Sequence, residues 1–292
     1  MIELCYNFTK QKKRIKMQKT IDKEEYLIGA LTSSYIGDDG AVVGETIYSM
    51  DAFFEDVHFK RKWMSMRQIA RKAMLVNLSD AIAMNAQPQF ALVTLSIPQN
   101  LTLENIDELR ESLEEIAKEY GCEIIGGDTV GGDKLHLSIT IISQSKYPLL
   151  RKGLKEGDFL AFTGELGESK RDLDNLFKGE KIALNSKFYE PILRAEFIKK
   201  ARKYLRVGMD ISDGLFCDTN KLLNMNGLGY ESIITIEEEI GLSGEEYEML
   251  VGFSSENYNE VLKVAKETKT PLTVFAKIAL NTKRFVCHSH HF

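Results

Sequence analysis

Apolar residues recur at intervals of three and four along one stretch of the first half of the chain. They are Leu103, Ile106, Leu109, Leu113, Ile116 and Tyr120. This spacing places the side chains on one face of a helix. Gly121 follows directly, and glycine most readily adopts the left-handed conformation in which many helices end. The pattern predicts an amphipathic helix that ends at Gly121.

A second helix is predicted from the residues at its start. Ser65 is followed three positions later by Gln68, which is the spacing of a capping box. Apolar residues recur at helical spacing as far as Asp80, and Pro88 is expected to end the helix.

Runs of β-branched and alternating apolar residues predict strands in both halves. The segments are 41–50, 90–97, 123–126, 134–143, 159–163 and 206–210. Two further helices are predicted over 187–203 and from Ser212 through Leu223. Because both halves mix strands with helices, the predicted class is α/β (α+β), with two domains that each contain a mixed sheet covered by helices.

The length of 292 residues agrees with about two domains. The pattern breaks near Lys146 and Pro148, which places the boundary there. We therefore expect a flexible basic extension at 1–20, an N-terminal domain at 21–147 and a C-terminal domain at 148–292.

Charge and composition make several classes of partner unfavourable. The formal net charge of −5 gives no basis for broad binding to nucleic acid or to an anionic membrane surface. No apolar run approaches the roughly 20 residues of a membrane-spanning helix. The four widely separated cysteines form no C-x-x-C pair, which favours free thiols and a cytoplasmic protein.

Aspartates stand in or beside apolar and glycine-rich segments throughout the chain. They are Asp38, Asp39, Asp51, Asp80, Asp128, Asp210 and Asp213. Each one alone is explained as a helix cap or a turn residue. As a set they are better explained by a divalent cation, since buried carboxylates are costly unless they are paired or bind a metal. Mg²⁺ prefers such oxygen ligands and commonly shares them with substrate phosphates.

Glycine pairs flank Asp128 in the segment GGDTVGG and would let backbone N–H groups approach phosphate oxygens. Ordinary turns explain the same glycines equally well. The chain contains neither G-x-x-x-x-G-K-[ST] nor G-x-G-x-x-G, so neither common nucleotide-binding motif applies.

Seven segments occur in the order and approximate spacing of a known family. They are IGDDGAVV, SMDAFFEDVHF, NLSDAIAMNAQP, GGDTVGG, LRKGLKEGD, DISDGL and SGEEYEML. Together they resemble the thiamine-monophosphate kinase family, which belongs to the superfamily of aminoimidazole ribonucleotide synthetase and selenophosphate synthetase. The resemblance extends over most of the chain from about Ile28 onward.

The resemblance implies roles for individual residues. Those implied to bind magnesium are Asp38, Ser49, Met50, Asp51, Asp80, Asp128, Asp210 and Asp213, with Met50 limited to its backbone carbonyl. Asp39 is expected to contact these ligand residues without binding magnesium itself. Those implied to contact ATP are Gly127, Asp128, Arg151 and Ser212. His58 and Glu245 are implied to hold the substrate, although a structural histidine and a solvated helix start explain these two residues equally simply.

The implied reaction is ATP-dependent phosphorylation of thiamine monophosphate to thiamine diphosphate, assisted by several Mg²⁺ ions in a cytoplasmic homodimer. Two segments depart from the family pattern. GGEDYEL of the family is SGEEYEM here, and the chain ends in HSHHF without the aromatic that stacks on thiamine. Three alternatives remain open: another ATP-using enzyme of the superfamily, a non-catalytic magnesium-nucleotide sensor, and a metal-dependent phosphohydrolase.

Overall fold

The computed structural model describes residues 23–287. The predicted basic extension at 1–20 and the histidine-rich end at 288–292 lie outside the described residues. Helix α1, Lys23–Ala30, belongs to a separate unit, and residues 35–287 belong to one compact unit that contains both sheets. No helix of this described part of the chain has both the length and the apolar character needed to cross a membrane.

Five strands form the first sheet. They are β1 (Ala41–Val43), β2 (Thr46–Phe54), β3 (Gln87–Pro98), β4 (Glu123–Gly132) and β5 (His136–Gln144). Their order across the sheet is β1-β2-β5-β3-β4, with only β3 and β4 parallel. The predicted strand at 41–50 is therefore a hairpin of two strands that turns at Gly44, whose φ of +66° suits glycine.

Two long helices accompany this sheet. Helix α2 spans Met66–Ala83 and helix α3 spans Leu103–Glu119. The predicted capping box at Ser65 and Gln68 is confirmed, since each side chain bonds the backbone N–H of the other residue. Gly121 follows α3 with a φ of +71°, as its position predicted.

Helix α2 is buried on nearly all sides because it packs against both sheets. It contacts β2, β3 and β5 of the first sheet and also β7 of the second. Its apolar residues contribute to a core that includes Leu78 and Ile139 as well as Met249 and Phe253 of the second sheet. This central position allows polar residues of α2 to meet residues from both halves of the chain.

The second sheet contains five strands. They are β6 (Phe159–Thr163), β7 (Leu205–Asp210), β8 (Gly229–Ser232), β9 (Met249–Phe253) and β10 (Leu272–Ala279). The order is β7-β9-β6-β10-β8, and every neighbouring pair is antiparallel. The first sheet precedes residue 147 and the second follows it, which is compatible with the predicted division into domains; that division stays a prediction.

The helices of the second half are shorter. They are α4 (Glu168–Phe177), α5 (Ala195–Ala201), α6 (Leu215–Asn226), α7 (Glu238–Gly241) and α8 (Tyr258–Glu267). The predicted helix over 187–203 was wrong in extent, since only α5 and a short 3₁₀ turn at Arg202–Tyr204 form there. The helix predicted from Ser212 begins later, at Leu215, so residues 211–214 form a loop after β7.

Candidate active site

Three carboxylates from distant parts of the chain converge in the compact unit. One oxygen each from Asp39, Asp80 and Asp210 lie within 4.8 Å of one another. Asp39 stands in the bend before β1, Asp80 lies on α2, and Asp210 ends β7. We call these three residues the carboxylate cluster. The structure brings Asp39, rather than its neighbour Asp38, into the cluster.

Hydroxyl and amide side chains of α2 fix the surroundings of the cluster. The Ser79 hydroxyl donates to Asp210 Oδ2 at 2.7 Å, which ties α2 to β7. The Asp51 backbone N–H donates to Asn77 Oδ1 at 2.8 Å, which ties α2 to β2. Because Asn77 Nδ2 also donates to the Ala73 carbonyl, its orientation is set from within the helix. The segment NLSD therefore positions carboxylates of both sheets.

Burial and mutual proximity raise the pKa values of these acids. Burial raises the pKa of Asp80 well above its ordinary value, and the charges of Asp51, Asp210 and Asp39 raise it further. Burial and the charge of Asp39 similarly raise the pKa of Asp210 well above its usual range. Asp51 thus lies close enough to act electrostatically on both acids. The arrangement is unfavourable for ionised carboxylates without a cation.

Two buried oxygen atoms have no hydrogen-bond partner within residues 23–287: Asp39 Oδ2 in the carboxylate cluster, and Ser49 Oγ on the face of β2 that also carries Asp51. Buried polar atoms are nearly always satisfied in folded proteins, so an unpaired oxygen within a cluster of carboxylates is the pattern expected where a cation binds. The donor set consists of oxygen atoms alone, which suits Mg²⁺.

Met50 and Asp128 lie on the opposite face of the first sheet from this site. Alternation along β2 places Ser49 and Asp51 on the face that packs against α2, and Met50 on the solvent face with 62% of its surface exposed. The register of the sheet aligns Ala52, Ser138, Thr94 and Asp128 in one row, next to the row that contains Asp51. The structure therefore does not bring Asp128 into the carboxylate cluster.

Gly127 is required by packing between strands. A Cβ atom at this position would lie 1.8 Å from the Val93 carbonyl oxygen, and the φ of +150° is unfavourable for other residues. The segment GGDTVGG is part of strand β4 and not a loop. Asp128 is exposed there, and its Oδ1 accepts from the Thr129 N–H at 2.9 Å.

Arg151 connects the cluster with the segment that leads into the second sheet. Its Nε donates to Asp39 Oδ1 at 3.0 Å, and a second guanidinium nitrogen donates to the same oxygen. Its backbone N–H donates to Asp38 Oδ1 at 2.6 Å. The Asp38 carboxylate is thus hydrogen-bonded to the Arg151 backbone, and the Arg151 guanidinium partly neutralises the charge of Asp39.

The loop after β7 contains Ser212 and Asp213 next to a second acidic pair. Lys221 of α6 bonds both Asp213 and Asp218, the latter at 3.0 Å. Burial lowers the pKa of the Lys221 ammonium, but the two acids more than offset this and hold it above its usual value. Burial raises the pKa of Asp218 to about 6. Asp213 is therefore bound to a lysine and does not belong to the carboxylate cluster.

His58 and Glu245, the two predicted substrate residues, line one small pocket of about 80 Å³. His58 Nδ1 accepts from the Phe54 N–H at 3.0 Å, which places the ring proton of the neutral form on Nε2. Glu245 has a φ of +54° and its N–H donates to the Ser212 carbonyl at 2.7 Å. A larger cleft of about 990 Å³, lined by Tyr120 and Lys199 among others, contains none of the predicted site residues.

The acidic segment GEEYE is largely buried and not a solvated helix start. Glu246 accepts from the Gly167 N–H at 2.7 Å, and Glu248 pairs with Arg194 at 2.6 Å. Tyr247 between them is buried; burial raises its pKa well above the usual value, and the charges of Glu245 and Asp51 add to this effect. Tyr247 is therefore close enough to Glu245 and to Asp51 for both charges to act on it.

Sequence reasoning missed Lys72, Tyr247 and Lys221. Lys72 is a fully buried lysine of α2 whose Nζ lies 2.6 Å from Glu245 Oε2. The sequence contained a signal for Lys72, since it stands two helical turns before Asp80 and directly before the apolar run 73–76. Lys221 stands eight residues after Asp213 on a helix, a spacing that does not by itself indicate contact.

The chain is similar in sequence to known proteins. Residues 37–144 match the family described as AIR synthase related protein, N-terminal domain. The chain is 30% identical over 225 residues to the thiamine-monophosphate kinase of Aquifex aeolicus, covering 74% of this chain and 72% of that protein. It is 32% identical over 263 residues to the enzyme of the same name from Buchnera aphidicola subsp. Schizaphis graminum, covering 80% of each.

The fold is also similar to that of solved structures. One is described as AaThiL complexed with AMPPCP and TMP; it aligns with a TM-score of 0.78 at 24% identity and covers 91% of both chains. At this level of identity the structural likeness establishes the fold. The mixed two-sheet architecture predicted from the sequence is thus confirmed.

Proposed function

Because this chain belongs to the thiamine-monophosphate kinase family, we propose that it transfers the γ-phosphoryl group of ATP to the phosphate of thiamine monophosphate. The products are thiamine diphosphate and ADP. The observation that carries this proposal is the carboxylate cluster, in which three acids from both halves of the chain meet within 4.8 Å. Such a cluster suits a reaction between two phosphate groups, where negative charge must be neutralised.

The residues of this site fit Mg²⁺. The carboxylate cluster would hold it, with Asp51 and the unpartnered Ser49 hydroxyl close by. When bound, Mg²⁺ neutralises phosphate charge and aligns the reacting groups. Asp38, Asp213 and the backbone carbonyl of Met50 stay proposed as further ligands, since more than one ion is expected.

Arg151 supports binding of ATP. Its guanidinium lies at the carboxylate cluster, and a planar fork of donors suits phosphate oxygens. Ser212 lies in the loop beside Asp210, at the end of β7. Gly127 and Asp128 remain proposed contacts for ATP, on the solvent face and edge of the first sheet.

The acceptor phosphate is proposed to bind between His58 and Glu245. The Nε2–H of His58 can donate to a phosphate oxygen, while Lys72 and the Ser212 carbonyl hold Glu245 in its conformation. The acceptor oxygen is already ionised near neutral pH, so no general base is required. The protein then contributes by holding donor and acceptor in line and by fixing the charges around them.

A homodimer is proposed to form through the solvent face of the first sheet. This face presents four large apolar side chains, Tyr48, Met50, Phe90 and Leu92. Contiguous exposed apolar surface of this kind marks interaction sites. Asp128 lies on the same face, so a second copy bound there would stand next to it.

We place the reaction in the cytoplasm. Cys122 and Cys287 are free thiols, which suits a reducing compartment.

The test is to incubate the purified protein with ATP, Mg²⁺ and thiamine monophosphate and to separate the products by chromatography. Equimolar thiamine diphosphate and ADP are expected. Inorganic phosphate without thiamine diphosphate would identify a phosphohydrolase. ATP that stays bound and unchanged would identify a nucleotide sensor, and either result would overturn the proposal.

A further inference from the structure

The substrate pocket contains an aromatic pair that already holds a cation. The rings of Trp63 and Phe177 meet edge to face with centroids 5.0 Å apart. The Lys60 ammonium lies 4.9 Å from the Trp63 ring and 5.1 Å from the Phe177 ring. Both distances are within the range of cation–π attraction.

These three residues line the same pocket as His58 and Glu245. Trp63 lies in the segment before α2, and Phe177 ends α4, so the pair joins the first half of the chain to the second. Phe177 is 62% exposed, so its ring is accessible to a ligand. Among residues 23–287, Lys60 has no carboxylate within ion-pair distance, so the rings are its main partners.

The proposed acceptor carries two features of opposite charge. Its phosphate is an anion, and its thiazolium ring is a permanent aromatic cation. His58 offers a donor for the phosphate, whereas an aromatic pair that binds an ammonium can equally bind a flat cationic ring.

We infer that Trp63 and Phe177 are specificity-determining residues that bind the cationic ring of thiamine monophosphate, and that Lys60 occupies this position until the substrate arrives. This inference rests on the proposed function. Lys60 lines the pocket, and its ammonium covers both rings of the pair. Since two cations repel each other, entry of the thiazolium ring must displace the ammonium, whose flexible stem allows it to turn into solvent.

The chain offers a direct reporter, because Trp63 is its single tryptophan. Binding at the pair is measured by the intrinsic fluorescence of Trp63 during titration with two ligands. One is thiamine monophosphate, and the other is the monophosphate of a neutral analogue in which a thiophene replaces the thiazolium ring. The fluorescence of the wild-type protein should report tighter binding of the cationic ligand, by about 3- to 30-fold.

Two variants separate the contribution of the Phe177 ring from that of the Lys60 ammonium. Phe177→Leu keeps an apolar side chain at an exposed position, and it should weaken binding of the cationic ligand while changing binding of the neutral ligand by less than about 2-fold. Lys60→Met removes the competing ammonium, and it should strengthen binding of the cationic ligand. Tyr147→Leu is the matched control, an exposed aromatic outside this pocket, and should change neither affinity.

Equal affinity of the wild-type protein for both ligands would overturn the inference, as would equal weakening of both by Phe177→Leu. Turnover is measured separately. If the wild-type protein discriminates between the ligands but forms no thiamine diphosphate, the aromatic site stands and the proposed reaction fails. If it forms thiamine diphosphate and Phe177→Leu leaves the KM for thiamine monophosphate unchanged, the reaction stands and the inference fails.

Discussion

The ammonium of Lys72 lies 2.6 Å from the Glu245 carboxylate, although the lysine has no exposed surface. The same ammonium lies 4.1 Å from the Phe188 ring. A buried charge depends on its partner, because loss of that partner leaves an ion without water or counter-charge. The pair therefore connects the interior of α2 to the pocket lined by His58 and Glu245.

Substitution of Lys72 by Met is expected to release Glu245 and to raise the KM for thiamine monophosphate, while the KM for ATP stays near its original value. Because Glu245 is partly exposed, the free energy of unfolding should fall by only about 1–3 kcal/mol. Steady-state kinetics and chemical denaturation measure the two effects.

The double variant Lys72→Met/Glu245→Gln should regain stability but not the original KM, since it removes both charges. Arg67→Met is the control from the same helix, because the Arg67–Glu115 pair is exposed. An unchanged KM in the single variant would show that the pair has only a structural role.

Replacement of Asp80 by Asn is expected to lower kcat by about 100-fold or more, since it removes a carboxylate that opposes phosphate charge through Mg²⁺. Stability without metal should not fall, because burial and the neighbouring acids already disfavour the ionised form of Asp80. Asp174→Asn, which changes an exposed carboxylate paired with Lys170, should leave kcat near the wild-type value. A normal kcat for Asp80→Asn across Mg²⁺ concentrations would exclude Asp80 as a ligand.

In the metal-free protein, the contribution of the carboxylate cluster to the free energy of unfolding should decrease as pH rises. The pKa of Asp80 and that of Asp210 are raised on folding, so the folded state keeps protons that the unfolded state has released. This contribution is complete below about pH 4, near the unfolded pKa of aspartate, and is lost as pH rises through the folded pKa. Mg²⁺ competes with these protons, so its stabilising effect should increase with pH.

Thermal unfolding in EDTA and in Mg²⁺ between pH 5 and 8 measures this dependence. In EDTA, Asp80→Asn should show a smaller decline in Tm with rising pH than the wild-type protein, because one of the acids whose pKa is raised on folding is gone. A Tm increase on adding Mg²⁺ that is the same at pH 5 and pH 8 would contradict this account.

Gly127→Ala is expected to destabilise the fold by about 3 kcal/mol or more, because its Cβ would overlap the Val93 carbonyl. Gly131→Ala lies on the same strand with open space around the added Cβ, and should change stability by less than about 0.5 kcal/mol. Urea denaturation of the two variants compares them directly. Similar stability of both would show that β3 and β4 do not approach as closely as described.

Leu92→Glu should convert the proposed dimer into a monomer, since it places a charge at the centre of the exposed apolar face of the first sheet. Light scattering after size exclusion measures the mass. Leu184→Glu is the control, because Leu184 is highly exposed at a different position. A wild-type protein that is monomeric at micromolar concentration would contradict the proposed interface.

Regular local patterns made the first half of the fold predictable. The capping box at Ser65 and the stop at Gly121 were both correct because each depends on neighbouring residues alone. The segment 187–203 was more difficult, since its helical spacing competes with Pro191 and only Ala195–Ala201 forms a helix.

Of the aspartates singled out from the sequence, Asp39, Asp80 and Asp210 lie together in the structure, whereas Asp128 and Asp213 lie outside the carboxylate cluster. Asp39 rather than Asp38 enters the carboxylate cluster because the bend at this point turns adjacent side chains in different directions. Asp128 lies on the other face of its sheet because strand register, which no local motif specifies, decides the face. Lys72 and Glu245 are 173 positions apart, and only the packing of α2 against both sheets brings them together.

The central claim is that acids from both halves of the chain hold metal ions for phosphoryl transfer. It is tested most directly by crystals grown with Mn²⁺, a non-hydrolysable ATP analogue and thiamine monophosphate, with data collected near the manganese absorption edge. We predict an anomalous difference peak within metal–oxygen bonding distance of Asp39, Asp80 and Asp210. Bound nucleotide with no such peak among these three carboxylates would contradict the account.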